Sequence, residues 1–201
     1  EYTMERRFFN SFKTDNNDTI KITDIIYKIQ NEGFLHDDPR LKDIFHNFKQ
    51  YPSNIIDYEQ FKSCIEKHIC IFNKIMTKQL IIPDFPQLTE NIKNIYDLTE
   101  YDRGGHVADY IPQLKRVNPE QYGISVCTVD GQRYNIGDTN VDFSVQSCCK
   151  PINYGIALES LGEESVHKYV GREPSGQSFN ELTLNKEGKP HNPLINSGAI
   201  M

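Results

Sequence analysis

Apolar residues recur at helical spacing from the start of the chain. Met4, Phe8, Phe9 and Phe12 form one stripe, and residues 23–32 predict a second helix that Gly33 closes. Asp38 followed by Pro39 signals a third start, continued by Leu41, Ile44, Phe45 and Phe48. After a loop at 51–56, Asp57 and Gln60 have the spacing of a capping box. They predict a long helix to about Met76, with Phe61, Cys64, Ile65, His68, Ile69, Phe72 and Ile75 on its apolar face. Leu80-Ile81-Ile82-Pro83 reads as a linker, and a helix over 84–101 carries Leu88, Ile92, Ile95 and Leu98 before Gly104-Gly105. The period then changes. Residues 124–129 alternate as a strand, Asp130-Gly131 is a two-residue hairpin turn, and 132–136 return. Residues 141–145 alternate again and predict a strand, followed by a helix to Leu161 that is apolar on most faces and is therefore expected to be buried. Residues 182–189 read as an exposed loop. The pattern predicts an α+β protein: an all-helical module over 1–79, then an antiparallel sheet packed with helices over 80–201.

The two helix–loop–helix units of the module resemble an EF-hand pair, and the first has an acidic loop. In one register Asp15, Asn17 and Thr19 fill loop positions one, three and five, but position six is Ile20 and position twelve Ile26. In the other register position one is Lys13 and position six Asp18. Neither supplies the glycine turn and bidentate glutamate that calcium requires, so no calcium site is expected. Cys64, His68 and Cys70 lack a fourth ligand and read as packing rather than zinc ligation; no metal is expected. Such a module suits packing against another chain better than chemistry.

Net charge is −6 and the basic residues are scattered, which argues against a nucleic-acid partner. No apolar run approaches membrane-spanning length, so no membrane span is expected. Five cysteines without framework spacing suggest a reducing compartment. The chain starts at Glu1 and stops at Met201 inside an apolar stretch, and is expected to be a fragment from which a targeting segment has been removed.

Candidate chemistry centres on Gln146-Ser147-Cys148-Cys149-Lys150-Pro151, where the strand-like run meets the helix. Pro151 fits a first helical turn, where its missing N–H costs nothing. Ser147 then lies at the helix mouth with Lys150 one turn later on the same side. A serine hydroxyl is a poor nucleophile unless a neighbour takes its proton, and a desolvated lysine can do so. The helix N-terminus favours alkoxide at Ser147 and, with burial, a neutral Lys150. Ser-x-x-Lys is the nucleophile–base pair of serine β-lactamases and penicillin-binding proteins. The spacing alone is weak, since Ser165-Val166-His167-Lys168 matches it in a predicted surface helix, and Ser147 could equally be a helix cap with Lys150 an exposed cation.

Longer blocks carry a resemblance. Ile82-Pro83-Asp84-Phe85, Val107-Ala108-Asp109-Tyr110-Ile111-Pro112-Gln113-Leu114, the Ser147 motif, Tyr169-Val170-Gly171-Arg172-Glu173-Pro174-Ser175-Gly176 and the block from Lys189 to Ile200 are similar to the kidney-type, phosphate-activated glutaminases of animals. The resemblance covers residues 82–201, and the helical module also resembles that family's. It implies a serine β-lactamase-like (DD-peptidase-like) fold for 80–201, truncated at its C-terminal end. It also implies hydrolysis of L-glutamine to L-glutamate and ammonia through a serine acyl-enzyme. By motif, Ser147 is the nucleophile, Lys150 its base, and Tyr110 contacts substrate and assists proton transfer. Gln146 borders the pocket, and Asn196 binds substrate. The resemblance further implies no cofactor, inorganic phosphate as activator, a homo-oligomer (dimer to tetramer), a mobile loop over 176–187 and a mitochondrial location, cytosolic otherwise. Because further ligands should follow Met201, the fragment alone is expected to turn over little or no glutamine. The alternatives are another Ser-x-x-Lys hydrolase, or a non-catalytic chain that joins oligomers through its helical module.

Overall fold

The computed structural model describes residues 3–13 and 18–201. The chain falls into two compact units, 1–141 and 142–201. The first contains α1 (Met4–Ser11), β1 (Thr19–Lys21), α2 (Ile22–Asn31), α3 (Lys42–Phe48), β2 (Ile55–Asp57), α4 (Tyr58–Ile65), α5 (Ile69–Met76), α6 (Phe85–Thr99), β3 (Gly123–Cys127) and β4 (Arg133–Gly137). The second contains α7 (Cys149–Leu161), α8 (Glu163–Val166) and α9 (Asn196–Ile200). The chain is therefore a mixture of helices and short antiparallel strand pairs.

The predicted stripes build one core from α1 to α5. Phe9, Ile25, Ile29, Phe34, Leu41, Ile44, Phe61, Ile65, Phe72 and Ile75 are fully buried there. Two loops that the sequence left irregular pair instead. β1 and β2 run antiparallel with Ile20 opposite Ile56, so each loop places one isoleucine in the core. The second loop also caps a helix of the first: Ile22 and Thr23 donate their N–H groups to the Asn54 carbonyl and Asn54 Oδ1 (3.0 and 3.1 Å). α2 has no cap of its own, so this bond satisfies donors that would otherwise be orphaned. The acidic loop positions Asp15 and Asn17 lie outside the described residues.

Two helix boundaries differ from the pattern. Asp38 opens a turn ahead of α3: its carboxylate accepts the Arg40 N–H (2.9 Å) and the Arg40 guanidinium (2.8 and 3.0 Å), and its carbonyl accepts the Leu41 and Lys42 N–H groups (both 2.9 Å). The regular helix α3 begins only at Lys42. The long helix predicted over 57–76 starts as expected, with the capping box formed in both directions by Asp57 and Gln60. It breaks into a 3-10 turn at Glu66–His68. The break redirects α5, so that the Phe72 ring meets Phe8 and Phe61 edge-on at 5.5 and 5.8 Å. Packing outweighs the small cost of interrupting a helix. Cys64 falls inside this core, whereas Cys70 is exposed.

The β3–β4 hairpin belongs to the same unit and turns around Asp130-Gly131, but Cys127 stands opposite Arg133, so residues 128–132 form the connection in place of the predicted two-residue turn. Its turn is held by polar contacts to the helical module and linker. Arg40 donates to the Asp130 carbonyl at 2.6 Å, and the Asp130 carboxylate accepts from the Ile81 N–H (2.7 Å) and Lys74 (3.3 Å). Arg133 donates its N–H to the Gly33 carbonyl at 2.7 Å. Gly131 has a φ of +89°, and a Cβ there would strike the Arg40 guanidinium, so both turn geometry and close approach call for glycine.

Two expectations for the second unit are corrected. Residues 141–145 do not form a strand: the four described strands pair off as β1–β2 and β3–β4. Alternation alone cannot make a strand without a partner edge. Nor is the helix after them buried. No residue of α7 is fully buried, and Ile152, Ile156 and Leu161 are 59, 56 and 64% exposed. α7 meets α8 and α9, and Tyr154, Ala157 and Leu158 are half-buried, while Ile152 and Ile156 stay exposed. α6 is similar: Phe85 is buried, whereas Ile95 and Leu98 remain exposed. An apolar surface predicts burial only where another surface is available to meet it.

Candidate active site

The site in the second unit begins with a backbone irregularity. Gln146 has a φ of +44°, unusual for a residue with a Cβ, and starts a 3-10 turn over Gln146–Cys148. The turn passes straight into α7, with Ser147 exposed and Lys150 half-buried as the second residue of the helix. Pro151 sits in the first turn, where helical N–H groups have no partner in any case. Ser147 stands in the turn before α7 and Lys150 in its first helical turn, and no strand leads into them.

Lys150 Nζ donates to Asn196 Oδ1 at 2.6 Å. In this structure Asn196, rather than Ser147, takes the lysine's hydrogen bond. Asn196 is the first residue of α9, and a network around Asn192 holds it there. Asn192 Oδ1 accepts the N–H groups of Leu194 and Ile195 (3.0 and 3.2 Å), and its amide donates to the Glu173 carbonyl (3.0 Å). Gly198 allows the next turn to pass directly over the Asn192 carbonyl, where any Cβ would collide. Asn196 also donates its backbone N–H to the Phe179 carbonyl at 3.0 Å. The Phe179 ring centre lies 5.9 Å from Lys150 Nζ.

One turn along α7, Tyr154 shares Lys150's side of the helix. Its hydroxyl is 2.9 Å from His167 Nε2, and His167 Nδ1 is 3.0 Å from the Val170 carbonyl. A carbonyl only accepts, so the Nδ1 proton points to Val170 and Nε2 accepts from Tyr154. Lys150, Tyr154, Ala157, Val166, Val170 and Gly198 are among the residues lining a cavity of about 190 Å³. The place of Tyr154 one turn after Lys150 was legible from helical spacing. Its pairing with His167 was not, because that histidine lies in the decoy Ser165-Val166-His167-Lys168 motif. The decoy itself falls, as expected, on the short helix α8 and its exit, with Lys168 exposed.

The structure thus brings Lys150 and Asn196 together, with Ser147 on the turn below. Tyr110 lies in the first unit, in an irregular stretch, and its side chain is 71% exposed. Gln146 occupies the strained position next to the serine. A nucleophile exposed at a helix start, with an amine one turn on and an amide bound to that amine, is suited to acyl transfer.

The chain is similar to known proteins over two stretches. The family described as Glutaminase matches residues 105–201, and the EF-hand domain family matches 4–83. The mouse protein named glutaminase liver isoform, mitochondrial, is 41% identical over 174 residues, covering 84% of this chain and 29% of its own. A Caenorhabditis elegans protein named for glutaminase is 37% identical over 98% of this chain and 35% of its own length. The crystal structure of Mglu in its native form in 4.3 M NaCl superposes with a TM-score of 0.50 at 35% identity, over 56% of this chain and 26% of that one. The chain spans about a third of the length of the curated relatives it matches. Residues 105–201, which hold the turn of Ser147 and Lys150 and the helix of Asn196, match the family described as Glutaminase, behind a segment that matches an EF-hand domain.

Proposed function

We propose that this chain is part of a glutaminase that hydrolyses L-glutamine to L-glutamate and ammonia. The observation that carries the reading is the short bond between Lys150 and Asn196, inside the stretch that matches the glutaminase family. In the proposed reaction Ser147 Oγ attacks the side-chain amide carbon of glutamine while Lys150 takes the hydroxyl proton. The C–N bond breaks, ammonia leaves with that proton, and a γ-glutamyl ester forms on Ser147. Water then attacks the ester, with Lys150 again relaying a proton, and glutamate departs. Tyr110 contacts substrate and assists proton transfer, Gln146 borders the pocket, and Asn196 binds the amino acid.

The finer expectations belong to the same proposal. These are a β-lactamase-like catalytic domain over 80–201 behind a helical module over 1–79, the kidney-type group, phosphate activation, a homo-oligomer of two to four chains and a mitochondrial location. Support for the location comes from relatives named as mitochondrial. Among the described residues no helix is long and apolar enough to cross a membrane.

The test is covalent capture. A diazoketone analogue of glutamine should add its mass to the Ser147 peptide, glutamine should compete, and Ser147→Ala should abolish the adduct. Capture by a penicillin without glutamine competition would move the assignment to another Ser-x-x-Lys hydrolase. A second reading, a non-catalytic interaction chain, draws on the exposed apolar row of α7. It predicts no difference between Ser147→Ala and the parent in the capture assay.

A further inference from the structure

The second unit holds a three-bond ladder that none of the proposed reaction steps touches. Gly171 donates its N–H to the Pro190 carbonyl (2.8 Å), and Glu173 donates its N–H to the His191 carbonyl (3.0 Å). The third rung is a side chain: Asn192 Nδ2 donates to the Glu173 carbonyl at 3.0 Å. The oxygen of the same amide accepts the N–H groups of Leu194 and Ile195 (3.0 and 3.2 Å), in the turn that leads into α9. Two glycines close the stack. A Cβ at Gly171 would strike the His191 carbonyl and one at Gly198 the Asn192 carbonyl, so residues 191–192 are pressed from both sides. Asn192 is half-buried there and Ile195 is buried.

We infer that Asn192 is a positioning residue of the glutamine reaction: its amide is the peg that registers α9 against residues 171–173 and so sets Asn196 against Lys150. The inference rests on the reading of Lys150 as base and Asn196 as substrate ligand. The two arms of the amide differ in reach. The Oδ1 arm is local, spanning two and three residues, and fixes the direction in which the chain enters α9. The Nδ2 arm spans nineteen residues and fixes where that turn sits. α9 has only five residues, too few to hold a place by helical hydrogen bonds alone. Asn196 is its first residue, and its Oδ1 accepts from Lys150 Nζ at 2.6 Å. A bond of that length weakens steeply when donor and acceptor are displaced, so the register of α9 decides whether it forms. An ionised aspartate at 192 has the shape of asparagine and keeps the acceptor, but has no donor for the Glu173 carbonyl.

The test reads the Lys150 amine and needs no turnover. Asn192→Asp removes the long arm but keeps the turn into α9, and Gly171→Ala pushes on the ladder from its other side without altering Asn192 or α9. Each variant of the purified chain is compared with the parent by limiting amine acylation, followed lysine by lysine with peptide mass spectrometry. The nitrogen NMR signals of the lysine ammonium groups are recorded alongside. A lost hydrogen bond is worth roughly a two- to ten-fold change, so Lys150 labelling should rise by that factor in both variants, and by more than at Lys168 and Lys189. The Lys150 ammonium signal should move toward those of exposed lysines, which a loss of stability alone does not cause below the melting transition. Parental labelling with an unmoved signal in either variant overturns the peg. So does an equal rise at all three lysines, which reports general loosening of the unit. Neither readout involves Ser147, so a failed capture at Ser147 counts against the glutaminase reading, and these outcomes count for or against the peg alone.

Discussion

Gln132 is fully buried, yet it is the polar spoke between the hairpin and the helical module. Its side-chain amide donates to the Glu32 carbonyl at 3.2 Å and to the Ile82 carbonyl at 3.1 Å. The two bonds span 100 and 50 residues of sequence, so one side chain ties module, linker and hairpin together. Replacing it with leucine keeps similar volume but removes both donors from two carbonyls where water has little access. Each unsatisfied buried polar group costs about 1–3 kcal/mol. Partial relaxation toward water lowers the sum, so Gln132→Leu should destabilise the first unit by about 2–4 kcal/mol. Gln132→Glu should be worse at neutral pH, since it sets carboxylate oxygens against carbonyl oxygens, and should recover partly in acid as the carboxyl regains a donor. Urea denaturation followed by circular dichroism gives the global change. Hydrogen exchange at the Arg133 N–H, bonded to Gly33, gives the local one, which matters because two compact units need not unfold together. A Gln132→Leu variant within about 0.5 kcal/mol of the parent, with unchanged exchange at Arg133, would refute the spoke; that is the ordinary range for surface substitutions.

Three further outcomes are expected. Contact with Arg40 holds the Asp38 carboxyl below its usual range, and the Ile81 N–H together with Lys74 does the same for Asp130. A carboxyl whose pKa is depressed by folding contributes stability above its unfolded value, near 4, and loses it as pH falls through the folded one. Melting temperature should therefore drop between about pH 5 and pH 2, and Asp38→Asn with Asp130→Asn should flatten that slope; a parallel slope in the double variant would be the failing result. Gly198→Ala must push α9 off the Asn192 carbonyl, which displaces Asn196. An amine-acylating reagent should then label Lys150 faster than in the parent, because the Asn196 acceptor has moved, and parental labelling would contradict the packing. Burial pushes the Cys64 thiol up and shields it, whereas Cys70, Cys127 and Cys148 are exposed. A thiol-exchange reagent should modify those three in the native chain and reach Cys64 only on denaturation, so rapid native modification of Cys64 would contradict its place in the core.

What the sequence determined by itself was local. The Asp57–Gln60 capping box, the Asp130-Gly131 hairpin and the Ser147–Lys150 turn each depend on residues within about four positions, where chain connectivity already brings the partners together. The family blocks added the identity of Asn196, but not its contact with Lys150. Tertiary structure decided everything that needs two distant surfaces to meet. It paired two loops into β1 and β2, broke the predicted helix at 66–68 so that Phe72 could reach Phe8, and used Asp38 to hold Arg40 in a turn ahead of α3. It also left one row of α7 exposed despite its apolar composition, and gave Lys150 a partner forty-six residues away. Hydrophobic periodicity records which face of an element avoids water, but not which surface covers it, because burial is a property of the pair and only the folded chain chooses the pairs.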